Sequence, residues 1–122
     1  MADSTGAEEN RWIVHICRRA DWEAAKQQGE YRDASLEAEG FIHCSLPEQV
    51  LATANRFFRG VPEIMLLWID PSKLQTELRW EPSDGQVFPH IYGPLNLNAI
   101  QFASDFPAER DGSFQKLPKP SF

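Results

Sequence analysis

The sequence predicts a single α+β domain in which short strands alternate with two main helices. The chain has 122 residues, of which 42% are hydrophobic, including four Trp and eight Phe, so it can bury one core without covalent cross-links. Several short apolar runs have the two-residue period of strands, and one longer run has the spacing of a helix. We find no internal repeat and no linker, and we place the domain at residues 11–106.

The two ends of the chain have a different composition from this domain. Residues 1–10 carry three acidic side chains and no apolar periodicity, so we predict a disordered tail there. Residues 107–122 are rich in Pro and charge, and we predict a loosely attached tail. Within that tail, Phe114 and Leu117 are the side chains that could dock on the core.

Charge and composition exclude several classes of function. A net charge of −6 argues against a general nucleic-acid binder, because neutralising phosphates requires clustered Lys and Arg. No apolar run approaches the roughly 18 residues that cross a membrane, and no leader pattern precedes the domain. We therefore expect a cytoplasmic, monomeric protein without membrane contacts, in which Cys17 and Cys44 are reduced thiols.

The first predicted elements are a strand at residues 12–17 and a helix at residues 21–28. His15 and Cys17 share one face of the strand, and both faces are mostly apolar, which predicts a central strand rather than an edge strand. Gly29 ends the helix, because glycine readily adopts the left-handed conformation that follows a helix. A single helical turn is the most that we predict for residues 35–39.

The stretch Gly-Phe-Ile-His-Cys-Ser at residues 40–45 is the most informative part of the chain. It reads as the end of a buried strand followed by a helix at residues 47–58, with Ser45 as the N-cap and Glu48 completing a capping box. His43 then lies at the start of a helix, where free backbone N–H groups favour anionic ligand atoms. The stretch therefore predicts a binding pocket.

Three further strands are predicted in the second half of the chain. They lie at residues 64–69, 78–81 and 98–106. In the second of them, Arg79 and Glu81 share the face opposite the apolar side chains. Residues 88–95, Phe-Pro-His-Ile-Tyr-Gly-Pro-Leu, contain two prolines and a glycine, which argues against a regular central strand and favours a segment that wraps a ligand.

The three histidines are the leading candidates for chemistry. One histidine among apolar residues is most often a hydrogen-bonded core residue, but His15, His43 and His90 all fall in strand-like or pocket-like contexts. Imidazole can donate, accept, stack and transfer protons near neutral pH. Three such residues favour a functional site.

Other arrangements of the same residues are weaker candidates. A zinc site built from both His–Cys pairs is disfavoured, because His43 and Cys44 are adjacent and point to opposite faces of a strand, so we expect no metal. Cys17 as a nucleophile paired with His15 lacks any flanking signature. Arg79 and Glu81 form either a solvated pair or a site in which Arg79 clamps an anionic group and Glu81 acts as acid or base.

The chain resembles a bacterial family known as domain of unknown function nine-five-two. The resemblance covers roughly residues 12–104 and rests on two long stretches together with several shorter pieces. The long stretches are residues 39–45 and 88–95, and the shorter pieces are Val14-His15-Ile16, residues 22–31, Ser35-Leu36, Ala54-Asn55-Arg56-Phe57-Phe58 and Trp80-Glu81.

This family is grouped, more distantly, with folds similar to ADP-ribosyltransferases and RNA 2′-phosphotransferases. The resemblance implies two small, mostly antiparallel sheets that form a cleft, with the two main helices packed outside. By position, His15 resembles the histidine that contacts the NAD ribose, and His43 resembles the group near the nicotinamide. Many such transferases have a catalytic Glu on a late strand, whereas residues 93–102 contain none.

The resemblance therefore implies a small nucleotide-binding enzyme that uses NAD for ADP-ribosyl or 2′-phosphate transfer. The implied catalytic residues are His15 and His43. The implied ligand-binding residues are Ser45, Arg79, Glu81, His90 and Tyr92. Two alternatives remain open, a non-catalytic module that binds a nucleotide-like ligand and, less favoured, a structural or partner-binding domain.

Overall fold

The computed structural model describes residues 11–120, so the disordered tail predicted at residues 1–10 lies outside the described residues. The helices in this range are α1 (Arg19–Gln28), α2 (Ala34–Glu39) and α3 (Pro47–Phe57). The strands are β1 (Ile13–Arg18), β2 (Glu30–Tyr31), β3 (Ile42–His43), β4 (Ile64–Ile69), β5 (Glu77–Ser83), β6 (Gln86–Tyr92), β7 (Leu95–Asn96) and β8 (Ile100–Asp105). Across residues 11–120, no helix has the length and apolar character needed to cross a membrane.

The strands form two three-stranded sheets and one short ribbon, and every pairing is antiparallel. Sheet 1 has the order β1-β4-β8, sheet 2 has the order β3-β6-β5, and β2 pairs with β7. Neither three-stranded sheet closes on itself among the described strands. The predicted α+β class is confirmed.

The middle strand of sheet 1, β4, organises the core. All six of its residues are buried, as the continuous apolar run predicts. Alternate residues point to opposite faces, so Met65 and Leu67 pack in one hydrophobic cluster, while Leu66 and Trp68 pack in the other. The two clusters thus cover the two faces of the sheet.

The prediction that β1 is a central strand is wrong, because β1 lies at the edge of sheet 1. Its residues from Ile13 to Cys17 are buried since both hydrophobic clusters reach over it, and burial of the faces does not reveal whether a strand has one neighbour or two. On its outer side, Val14 exchanges two backbone hydrogen bonds of 2.8 Å with Ser45. That bridge holds the start of α3 against β1.

The predicted N-cap of α3 is also wrong, by one residue. The helix begins at Pro47 with Leu46 as the N-cap, and the side chain of Gln49 accepts a hydrogen bond of 2.8 Å from the Leu46 N–H. Ser45 is not the cap because the next residue, Leu46, is still extended with φ −75° and ψ 155°, so Ser45 does not adjoin the first helical residue. Glu48, the predicted capping partner, pairs instead with Arg11 at 2.5 Å.

The stretch at residues 88–95 was predicted to avoid a central strand, yet β6 is the middle strand of sheet 2. Pro89 is tolerated there for a local reason. Its carbonyl accepts from the Cys44 N–H at 3.1 Å, so the missing Pro89 N–H would face the same side, just beyond the end of the two-residue strand β3. The longer β5–β6 ladder, on the other side of β6, therefore loses no hydrogen bond.

The segment after β8 has no regular secondary structure, but it is attached to the core. Phe114 is 2% exposed and packs on Phe106 with ring centroids 4.9 Å apart. The side chain of Asn55 on α3 accepts from the Phe114 N–H at 2.8 Å and donates to its carbonyl at 2.9 Å. Trp68 donates to the Pro118 carbonyl at 3.2 Å. Phe114 therefore docks on the core, as its apolar character allows.

Candidate functional site

All three histidines line one cavity of about 450 Å³, which we call the cleft. Its walls are β1, the inner side of α3 and the hairpin formed by β5 and β6. Ser45, at the bridge between β1 and the start of α3, also lines it. A volume of this size is typical of pockets for small molecules. The cleft is therefore the candidate site.

Two polar contacts join the opposite walls of the cleft. Gln49 on α3 donates to the Val87 carbonyl of the hairpin at 3.0 Å, and Arg56 pairs with Asp84 at 2.7 Å. Phe57, next to Arg56, contributes an aromatic ring that is 62% exposed although it lines the cleft. An exposed ring at the opening of a pocket can pack against a flat ligand group.

His15 belongs to a buried hydrogen-bond network with Tyr31 and Asp33, which we call the inner network. Nε2 of His15 lies 2.8 Å from the Tyr31 hydroxyl, which donates to Asp33 at 2.8 Å. Nδ1 of His15 lies 2.5 Å from the carbonyl oxygen of His43, which can only accept. Both ring nitrogens must therefore carry hydrogen, and the resulting imidazolium lies 3.4 Å from the Asp33 carboxylate.

Burial and charge shape the ionisation of the inner network. Hydrogen bonding to His15, with the charge of that ring, holds the pKa of the Asp33 carboxyl well below its usual range. Burial raises the pKa of the Tyr31 hydroxyl far above its ordinary value, and it raises the pKa of the neighbouring Cys17 thiol to about 12. Tyr31 and Cys17 therefore stay protonated, which makes Cys17 a poor nucleophile.

Glu81, His90 and Tyr92 form a second network on sheet 2, which we call the outer network. Oε1 of Glu81 accepts from Nδ1 of His90 at 2.7 Å and from the Tyr92 hydroxyl at 2.6 Å. These two donors lower the pKa of the Glu81 carboxyl, and the bond to Glu81 raises the pKa of Tyr92. The ring of Phe41 stacks on His90 at 4.2 Å with an interplanar angle of 21°.

His43 connects the two networks. Its carbonyl oxygen contacts His15, while its own ring contacts His90 edge-on at 5.3 Å and Phe41 at 4.7 Å. Nε2 of His43 lies 3.1 Å from Glu39, and the side chain is 53% exposed. Of the three histidines, His43 is thus the one that presents most of its ring to solvent and to any ligand in the cleft.

The remaining predicted ligand-binding residues lie behind the lining of the cleft. Glu81 and Tyr92 reach it through His90, and neither forms part of the lining. Arg79 pairs with Glu77 at 2.9 Å and places its guanidinium 4.2 Å from the centre of the Tyr92 ring. The structure thus joins Arg79 to the outer network through Tyr92, outside the cleft.

Sequence reasoning missed Tyr31 and Asp33 as members of the site. Asp33 also caps α2, because its Oδ2 accepts from the Ser35 N–H at 3.0 Å. An Asp two residues before the predicted helical turn at residues 35–39 was the available signal. Sequence reasoning also assigned no role to Arg56, which lines the cleft.

The structure also bears on metal binding. Within residues 11–120, no group of three or more His, Cys, Asp or Glu side chains is placed to hold a metal ion. Cys44 is buried in a hydrophobic cluster, whereas the His43 side chain is half exposed, in keeping with their opposite directions along the chain. Burial raises the pKa of the Cys44 thiol above its ordinary value.

Comparisons with known proteins identify relatives of this chain. A family profile described as "Protein of unknown function (DUF952)" matches residues 16–103. The crystal structure of protein CC0527 from Caulobacter crescentus is similar, with 40% sequence identity, a TM-score of 0.79 and coverage of 85% of this chain and 93% of that chain. The solution NMR structure of CC0527 gives 40% identity, a TM-score of 0.74 and coverage of 85% and 91%. No curated protein matches the chain.

Proposed function

The chain belongs to the family of proteins of unknown function DUF952, as its sequence resemblance predicted, and we propose that it is a small NAD-dependent transferase. The observation that carries the proposal is that His15, His43 and His90 line one cleft. In this proposal, NAD binds in the cleft, its nicotinamide–ribose bond breaks, and the ribosyl group passes to an acceptor. The finer likeness to ADP-ribosyltransferase folds, with a cleft between two sheets, is part of the proposal.

The chemistry of that bond explains why such a cleft is suitable. Breaking the bond passes through an oxocarbenium-like state, which requires a fixed ribose, a stacked leaving group and a correctly placed base. His43 offers a ring in the lining, supported by Phe41 at 4.7 Å, and Phe57 offers an exposed ring. Arg56 supplies a cation in the lining that can exchange Asp84 for a phosphate.

The role of His15 follows from its hydrogen bonds. The family resemblance assigns ribose contact to this residue, but both of its ring nitrogens are bound to protein atoms and the side chain is 5% exposed. We therefore propose that His15 is a positioning residue, because its bond to the His43 carbonyl oxygen fixes the backbone that carries the His43 ring. Ser45 contributes a polar group at the same end of the lining.

Titration with NAD tests the proposal at the level of binding. We expect saturable shifts of the His43 and His90 ring resonances in nuclear magnetic resonance spectra, because both rings line the cleft. Adenosine and nicotinamide serve as partial ligands that separate the two ends of NAD. Absence of any histidine shift at millimolar NAD would contradict every nucleotide-based function for this cleft.

Release of nicotinamide tests the proposal at the level of chemistry. We expect the wild-type protein to release it, and His43→Ala to lower the rate by about 10- to 100-fold, because a contact to the reacting groups is lost. Glu77→Gln is the matched control, since Glu77 lies on the same sheet but pairs with Arg79 away from the cleft. Equal rates in wild type and His43→Ala would remove His43 from the reaction.

A second candidate function is a non-catalytic module that binds a nucleotide-like ligand in the same cleft. It is favoured by the absence of Glu from residues 93–102, where many transferases of the resembled class carry their catalytic carboxylate. Saturable NAD binding without product from water or from any acceptor tested would support this module over the enzyme. A structural or partner-binding domain is the function that remains if NAD does not bind.

A further inference from the structure

We propose that His90 is the proton acceptor of the cleft and that Glu81 and Tyr92 are positioning residues that hold it in this role. The inference rests on the proposed function and deepens it, because it names the base that transfer from NAD requires. In this inference, His90 on the middle strand of sheet 2 has the role that a late-strand Glu has in many transferases of the resembled class.

The hydrogen bonds of the outer network determine which ring nitrogen of His90 is available. The Glu81 carboxylate accepts two hydrogen bonds on Oε1, one of which comes from Nδ1 of His90 at 2.7 Å. Nδ1 must therefore carry the hydrogen. In the neutral ring, Nε2 then holds the lone pair that a base requires.

The surroundings of His90 leave this lone pair accessible. Nε2 of His90 has no hydrogen-bond partner among residues 11–120, and over the same range the buried side-chain nitrogens and oxygens without a partner comprise Ser104 Oγ alone. Nε2 of His90 therefore has no hydrogen bond within these residues and is accessible to solvent, although only 7% of the residue is exposed. Because His90 lines the cleft, its small accessible surface opens toward a ligand there.

The ring is also held in a fixed orientation. Phe41 covers one face at 4.2 Å, the edge of the His43 ring approaches at 5.3 Å, and the bond to Glu81 prevents rotation about the side chain. The Tyr92 hydroxyl fixes Glu81 in turn at 2.6 Å. Removing the partner that orients a metal-ligating histidine typically lowers activity by about 10- to 100-fold, and we expect an effect of the same kind for Glu81.

The proposed step balances as a substitution at the ribose. The oxygen of an acceptor hydroxyl, or of water, forms a bond to C1′ of the NAD ribose, while the bond from C1′ to the nicotinamide nitrogen breaks. Nicotinamide leaves as a neutral molecule with the electron pair of that bond. The hydroxyl proton passes to Nε2 of His90, and Glu81 stabilises the imidazolium that forms.

The tautomer of His90 tests the inference without any ligand. Long-range ¹H–¹⁵N spectra of the wild-type protein should show a protonated Nδ1 and an unprotonated Nε2 in the neutral ring. Glu81→Gln should weaken this preference, whereas Glu77→Gln should leave it unchanged, because Glu77 contacts Arg79 instead. A neutral His90 with its hydrogen on Nε2 would overturn the inference.

Rates of nicotinamide release test the role in catalysis. We expect His90→Gln to lower kcat by about 100-fold or more and Glu81→Gln by about 10-fold, with KM for NAD nearly unchanged. The wild-type rate should fall at the acidic end of its pH profile, since protonation removes the Nε2 lone pair, and this fall should vanish in His90→Gln. The charged or titratable groups that face the ring are Glu81, Tyr92 and His43, with Arg79 opposite in register.

The outcomes separate the inference from the proposed function. Unchanged kcat and an unchanged acidic limb in His90→Gln would overturn the inference while NAD cleavage still stands. No cleavage by the wild-type protein would overturn the transferase, and the tautomer measurement would then decide independently whether Glu81 holds His90 as an acceptor. Loss of folding in His90→Gln, seen by circular dichroism, leaves Glu81→Gln with its Glu77→Gln control as the deciding comparison.

Discussion

The inner and outer networks contain the same three kinds of side chain, a histidine, a tyrosine and a carboxylate, but they are connected in different orders. In the inner network, Tyr31 lies between His15 and Asp33. In the outer network, the carboxylate of Glu81 lies in the middle and accepts from both rings.

The order of connection decides which polar atoms remain available. With the tyrosine in the middle and a carbonyl oxygen on the other side, both nitrogens of His15 are used inside the protein. With the carboxylate in the middle, His90 keeps one nitrogen for a ligand. The comparison teaches that the inner network stabilises the fold beneath the cleft, whereas the outer network is arranged for chemistry, although a list of residue types would not distinguish them.

The largest effect on the free energy of unfolding is expected from removing the negative charge of Asp33. Asp33→Asn should lower the free energy of unfolding by about 3 kcal/mol, because it leaves the buried imidazolium of His15 without its partner. Asn is itself a good N-cap, so the substitution retains the cap of α2 and isolates the charge. Urea denaturation followed by circular dichroism measures the change.

The control for this variant is Asp84→Asn, which makes the same chemical change at an exposed ion pair with Arg56. Exposed pairs contribute little, and a loss below about 1 kcal/mol is expected. Asn also tolerates the left-handed backbone of Asp84, so the control introduces no strain. Equal losses in the two variants would break the distinction between a buried and an exposed carboxylate.

The next largest effect should come from removing one hydroxyl from each network. Tyr31→Phe leaves a buried histidine N–H and a carboxylate oxygen without their shared partner, and we expect a loss of about 1–3 kcal/mol in the free energy of unfolding. Tyr92→Phe removes a bond at the surface of sheet 2, so its urea midpoint should stay close to that of the wild type. A larger midpoint shift in Tyr92→Phe than in Tyr31→Phe would reverse the proposed roles.

The smallest expected effect is a dependence of the Asp33 contribution on pH. The pKa of Asp33 in the folded protein lies below its ordinary value of 3.8, so its stabilising contribution is present above that value and is lost as the pH falls further. The difference in unfolding free energy between the wild type and Asp33→Asn should therefore narrow as the pH is lowered below about 4. Denaturation of both proteins from pH 7 to pH 3 measures it, and a constant difference would show that the charge of Asp33 is not responsible.

Local sequence patterns predicted those parts of the fold that depend on local forces. The run Ile64–Ile69 was predicted residue for residue as a strand, because six consecutive apolar residues bounded by turn signals fit a buried strand. The helix Pro47–Phe57 was predicted to within one residue at its end. That Leu78 and Trp80 point to the core, opposite Arg79, also followed from the period of two.

The predictions that were wrong concern features that depend on contacts between distant parts of the chain. Whether β1 is an edge strand depends on where β8 pairs, and Pro89 is tolerated because β3 happens to end beside it. For the site, the convergence of His15 and His90 on one cleft was a hypothesis that the sequence could state but could not establish. The contact between His15 and Asp33 spans 18 positions and leaves no local trace.

The side chain of Asn55 closes a two-bond ring with the backbone of Phe114, and this ring has a consequence for fragments of the protein. A chain that ended at Phe106 would leave the oxygen and the nitrogen of the Asn55 amide without these partners, and it would uncover the ring of Phe106. Since α3 forms one wall of the cleft, shortening the C-terminus is expected to alter ligand affinity from the far side of that helix.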